Sequence, residues 1–137
     1  MSAFPLSRAQ LALWFAQQLS PSTPFVVAQY VELRGPVDVD ALIEATNTAC
    51  HELESPFVRL VATDAEPAQV VDHSIVDDLA YLDLRSDRDP VRRANEWMTA
   101  EYSRPLDVMS DRLISATLLH LADEHYYWYS HAHHLVL

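Results

Sequence analysis

The sequence predicts an α/β chain of the α+β type, with a mixed or antiparallel sheet and its helices mainly on one side. Three observations carry that reading. Helical and strand-like periodicities follow one another in the order α-β-α-β-β-β-α-β-β. Each helical stretch is preceded by a capping residue, Ser7, Asp38 or Asp89. The last two strand-like stretches are separated only by "ADE", which suits an antiparallel hairpin.

The first helix is "LSRAQLALWFAQQL". Ser7 stands at its N-cap, and Gln10, three residues on, completes a capping box. Leu6 and Leu11 flank the cap as a hydrophobic staple. Leu11, Trp14, Phe15 and Gln18 form the face expected to point inward. "SPSTP" breaks this helix. "FVVAQYVELRG" is rich in β-branched and aromatic residues and closes at Gly35-Pro36, which predicts a strand. Asp38 caps the second helix, "VDALIEATNTACHEL", with Leu42, Ala45, Ala49 and Leu53 on one face.

"FVRLVATD" and "AQVVDHS" predict two strands around a polar turn from Asp64 to Pro67, and "LAYLDLRS" a further short one. Asp89-Pro90 supplies a cap and a first-position proline for the third helix. Its inward residues are Ala94, Trp97, Met98 and Tyr102, and Pro105 ends it. "RLISATLLHL" and "HYYWYSHAHH" are the closing pair of strands.

Composition narrows the function. At 137 residues the chain is one domain, or half of a larger one. Half of it is hydrophobic, enough for a real core. A net charge of −11 without a basic stripe argues against nucleic acid as a partner. No apolar run is long enough to span a bilayer, and no leader peptide is visible, so a cytoplasmic location and no membrane partner are expected. Cys50 is the single cysteine, which rules out an internal disulfide and a Cys-rich zinc site. Gly35 is the single glycine, so phosphate-cradling loops and the GxSxG elbow are absent.

His131, His133 and His134 lie within four positions near the end of the chain. On a strand, His131 and His133 would share one face and His134 the other. Three readings compete. The imidazoles could be a hydrogen-bonded structural cluster. His131 and His133 could bind a metal, with a third ligand from His120, His125 or a carboxylate. One histidine could serve acid–base or electrostatic catalysis, oriented by its neighbour. Cys50, in a helix of small and apolar residues, reads as a packed thiol rather than a nucleophile. The run Tyr126, Tyr127, Trp128, Tyr129 reads as strand packing. The acidic stretch from Asp77 to Asp89 reads as a solvated surface.

Taken together these residues resemble the N-terminal half of a condensation domain of nonribosomal peptide synthetases. "SRAQLALW" is similar to the family's first motif, roughly S-x-A-Q-x-R-L-W, through Ser7, Ala9, Gln10, Leu13 and Trp14, with Ala12 in place of the arginine. "CHELESPFVRL" is a degraded form of the second motif, matching at His51 and Glu52 with Cys50 in place of an arginine, and no function is carried over from it. "SRPLDVMSDRLISATLLHL" looks like the segment that leads to the active site. "HHLVL" supplies His133, His134 and the next three positions of the third motif, H-H-x-x-x-D-G.

The resemblance implies a chloramphenicol acetyltransferase-like lobe over residues 1–137, cut within its third motif. It implies amide formation between a donor acyl or peptidyl thioester and an acceptor aminoacyl thioester. Carrier proteins would present both on phosphopantetheine arms, with no cofactor bound directly. By this carry-over His134 is the catalytic position, as a base or an electrostatic stabiliser, and His133 is mainly structural. The partners implied are carrier proteins and a C-terminal lobe. Without that lobe the fragment is expected to be inactive and prone to self-association. Met1 lies six residues before Ser7, which points to a donor arriving from a separate protein or as a coenzyme A thioester, in a starter role. Alternatives are an epimerization domain, another acyltransferase with the same motif, or a non-catalytic docking module.

Overall fold

A computed structural model of the chain describes residues 2–75 and 79–137. Met1 and Asp77, on which two of the expectations above rest, lie outside the described residues. The elements run β1 (Ala3–Pro5), α1 (Arg8–Leu19), β2 (Val26–Arg34), α2 (Val39–Leu53), β3 (Val58–Val61), β4 (Ala68–Val71), β5 (Ala80–Asp83), α3 (Pro90–Ser103), β6 (Ile114–Ala122) and β7 (His125–His133). Single 3-10 turns cover Ser55–Phe57 and His134–Val136.

The helix starts follow the capping chemistry. The Ser7 hydroxyl accepts from the Gln10 amide at 3.2 Å, and the Gln10 side-chain oxygen accepts from the Ser7 amide at 2.8 Å. Asp38 accepts from the Ala41 amide, and Asp89 from the Arg92 amide behind Pro90. Gly35, at φ 113, closes β2 in a conformation open to glycine, and its amide donates to the Glu124 carbonyl at 2.9 Å.

β2, β7, β6 and β5 form one sheet in that order. β6 and β7 make the expected hairpin, β2 runs antiparallel to β7, and β5 runs parallel to β6. The sheet is therefore mixed, as predicted. β1, β4 and β3 form a separate three-stranded sheet. β1 was not anticipated: it is three exposed residues ending in a proline, a pattern tolerated only at an edge.

The helices are divided between the two faces of the larger sheet rather than gathered on one side. Ala94 and Met98 of α3 pack with Leu119, Leu121, Tyr127 and Tyr129 on one face. Leu42 and Ile43 of α2 pack with Leu118, Tyr126 and Trp128 on the other. β6 and β7 are interior strands with apolar side chains on both faces, so each face needs a cover. A third cluster joins Leu6, Leu60, Val108, Leu113 and Leu135, with Leu11 and Trp14 of α1 against it. It ties α1 to the end of β7. Burying a leucine of this kind contributes roughly 1.5–3 kcal/mol.

Two helix faces differ from expectation. In α1, Gln17 is buried, while Phe15 is 52% exposed and Gln18 is also outside. In α2 the inward face is Leu42, Ile43, Thr46, Asn47 and Cys50, while Ala45 and Ala49 are exposed and Leu53 is 72% exposed. Counting apolar residues rotates a helix wrongly when a buried polar side chain lies on its inner face. On α3, Ala94, Trp97 and Met98 face inward as predicted, and Tyr102 is exposed.

Candidate functional site

Along β7 the residues Tyr127, Tyr129, His131 and His133 alternate onto the face that α3 covers. Burial lowers the pKa of His131 from its ordinary value, and its ring lies 3.3 Å from the Ser115 hydroxyl. His133 is the last residue of the strand and is fully buried. Its amide donates to the Leu113 carbonyl at 2.7 Å, which continues the ladder to the strand's end.

The His133 ring is committed on both sides. Nδ1 accepts from the Leu135 amide at 3.1 Å. Nε2 therefore carries the proton and donates to the Gln17 side-chain oxygen at 3.0 Å. Gln17 is oriented in turn, because its amide nitrogen donates to the Ser20 and Thr23 carbonyls at 3.2 Å each. A second ring proton would displace the Leu135 amide. Burial, aided by the neighbouring His134, pushes the His133 pKa down to about 4. The ring is neutral at pH 7.

His134 leaves the strand pattern and opens the 3-10 turn His134–Val136. Its amide donates to the Phe25 carbonyl at 2.9 Å, and its side chain is exposed. Leu135, the next residue, is fully buried in the cluster with Leu6 and Leu113. The Gln10 amide nitrogen donates to the Leu135 carbonyl at 3.0 Å. The residues flanking His134 are thus anchored, while its imidazole faces outward. Such a group can accept or donate a proton without moving the chain that carries it.

Among the described residues the metal reading finds no ligand set. Both nitrogens of His133 are used by protein groups. His125 pairs with Arg34 at the opposite end of β7. His120 lies on the other face of the sheet, stacked on Tyr126 with its Nδ1 2.6 Å from the Tyr81 hydroxyl. Among the described residues no three His, Cys, Asp or Glu side chains converge. Burial raises the Cys50 thiol pKa, which makes it a poorer nucleophile. His51 of the degraded second motif packs against Phe57.

Sequence reasoning missed Gln17 and the second role of Gln10. The signal was present, because Gln10, Trp14 and Gln17 stand at i, i+4 and i+7 from the capping box onward.

Comparisons with known proteins bear on the family and the fold. The family model of the condensation domain matches residues 2–137. The chain is 33% identical over 135 residues to a dimodular nonribosomal peptide synthase of Bacillus subtilis (strain 168), covering 98% of this chain and 6% of that protein. It is 35% identical over 137 residues to enterobactin synthase component F of Escherichia coli (strain K12), covering 97% of this chain and 10% of that protein. The crystal structure of the starter condensation domain of rhizomide synthetase RzmA superposes with a TM-score of 0.88 at 29% identity, covering 98% of this chain and 33% of that one. A variant of that domain in complex with C8-CoA gives 0.89 over 98% of this chain and 31% of that one. The chain therefore spans about a third of the solved chains it matches and a tenth or less of these two relatives.

Proposed function

The chain belongs to the condensation-domain family, and on that premise we propose that it supplies the N-terminal lobe of an amide-forming acyltransferase in a nonribosomal peptide synthetase. The donor is an acyl or peptidyl thioester and the acceptor an aminoacyl thioester, each on the phosphopantetheine arm of a carrier protein. The acceptor amine attacks the donor carbonyl, the C–N bond forms, and the carrier thiol leaves with a proton. The amine gives up a proton in the same sequence. His134 is the group on this chain that takes that proton or stabilises the charged intermediate. His133 holds the strand end and stays neutral. Much of the rate comes from holding two thioesters together. The second lobe provides the facing wall, so these 137 residues alone are expected to be inactive.

The observation that carries this reading is the outward imidazole of His134 between two buried, hydrogen-bonded neighbours, within the stretch that the family model matches. Likeness to a starter condensation domain, one variant of which was solved with C8-CoA, supports an acyl-loading role. A docking-only module is the second reading, motivated by Ala12 and Cys50 at the motif arginine positions.

Intact-protein mass spectrometry of the acceptor carrier separates the two. The full-length protein is incubated with acyl-loaded and aminoacyl-loaded carriers. A mass gain equal to the acyl group, lost in His134→Ala, supports the catalytic reading. Carrier binding without transfer supports docking.

A further inference from the structure

We propose that Gln10 and Gln17, seven residues apart on one face of α1, are positioning residues that hold the chain on either side of His134. Its consequence for catalysis rests on the assignment of His134 above. Gln17 accepts from the ring of residue 133, and Gln10 donates to the carbonyl of residue 135. Neither touches His134. Each is itself tied down. Gln17 is fixed by the Ser20 and Thr23 carbonyls, and Gln10 by the Ser7 amide and the Gln69 side chain at 3.1 Å. The capping box that starts α1 therefore also sets where residue 135 sits. α1 and the 3-10 turn pack directly together, so the two amides act across one interface.

The arrangement has a directional logic. A fully buried imidazole that needs one donor and one acceptor receives both from neutral amide groups, which fixes its tautomer without adding charge. The exposed imidazole next to it then projects from a backbone held on both sides. Misplacing a catalytic group by about 1 Å costs on the order of 100-fold in rate.

Two variants separate clamp from cap. Gln10→Glu keeps an oxygen for the Ser7 amide, as in an ordinary capping box, but has no N–H for the Leu135 carbonyl. Gln17→Leu removes the acceptor of His133. Gln18→Leu, on the exposed neighbour, is the control. Each is made in the full-length protein beside His134→Ala. Two readouts are taken: hydrogen exchange of the peptide spanning residues 131–137, and kcat and KM for amide formation.

The expected result is faster exchange in that peptide for Gln10→Glu and Gln17→Leu, with kcat down about 10- to 100-fold and KM little changed. Gln18→Leu matches wild type in both. Unchanged exchange in both clamp variants overturns the inference. Faster exchange with unchanged kcat, while His134→Ala is inactive, overturns its catalytic part. A fully active His134→Ala instead removes the assignment of His134 and leaves the anchoring to stand on exchange alone. Should Gln17→Leu fail to fold, Gln10→Glu carries the same comparison.

Discussion

The two ends of β7 place the same side chain in opposite surroundings. His125 begins the strand opposite Arg34, and His133 ends it opposite Val26, both paired to β2. At the first end the His125 ring meets the Glu32 carboxylate at 2.7 Å, and Arg34 reaches the same carboxylate at 2.8 Å. The bond from His125, followed by the charge of Arg34, holds the Glu32 carboxyl below its ordinary range. At the second end His133 is fully buried and its ring nitrogens meet only amides. One end sets the ring against a carboxylate, and the other encloses it among neutral amides. Histidine count and spacing do not set the chemistry; the end of the strand does.

The contrast can be broken most strongly at the buried end. His133→Ala leaves a cavity and strands the Gln17 oxygen and the Leu135 amide, and should cost about 3 kcal/mol in denaturant titrations of the full domain. His125→Ala removes a bond to a carboxylate that solvent reaches, and should cost clearly less in the same titration. Equal losses at the two ends would contradict the comparison.

Acid sharpens it next. The His133 pKa falls from 6.5 in the unfolded chain to about 4 in the folded one, so the unfolded state takes the proton first. Stability from this group is complete above about pH 6.5 and declines as pH drops. About 3 kcal/mol is gone by pH 4, to be read from denaturation midpoints across that range. His131 is shifted in the same direction and adds to the slope. A flat profile from pH 6.5 to 4 would contradict a neutral, buried His133. A smaller effect is expected from Ser7→Ala, which removes the cap of the helix that carries both glutamines. It should lower stability by about 1 kcal/mol in the same titrations.

Much of this was legible in the sequence where a local rule operates. Ser7 with Gln10, Asp38, and Asp89 with Pro90 marked the helix starts, because capping depends only on neighbours. The β6–β7 hairpin followed from period and a short connection. What escaped depends on partners distant in sequence. Gln17 is buried because it satisfies a ring 116 residues away. The α2 face is turned because its cover, Leu118 with Tyr126 and Trp128, comes from the far end of the chain. β1 exists only because β4 offers it an edge. At the site, the motif drew attention to His133 and His134, but their different burial follows from the chain leaving β7 between them.

The most direct measurement compares the two ends in one assay. Amide formation on pre-loaded carriers would be timed for the full-length wild type, His134→Ala and His125→Ala. The account predicts a loss of about 100-fold or more for His134→Ala, in the range of removed acid–base groups, and wild-type rates for His125→Ala. Equal rates for wild type and His134→Ala would contradict the catalytic assignment.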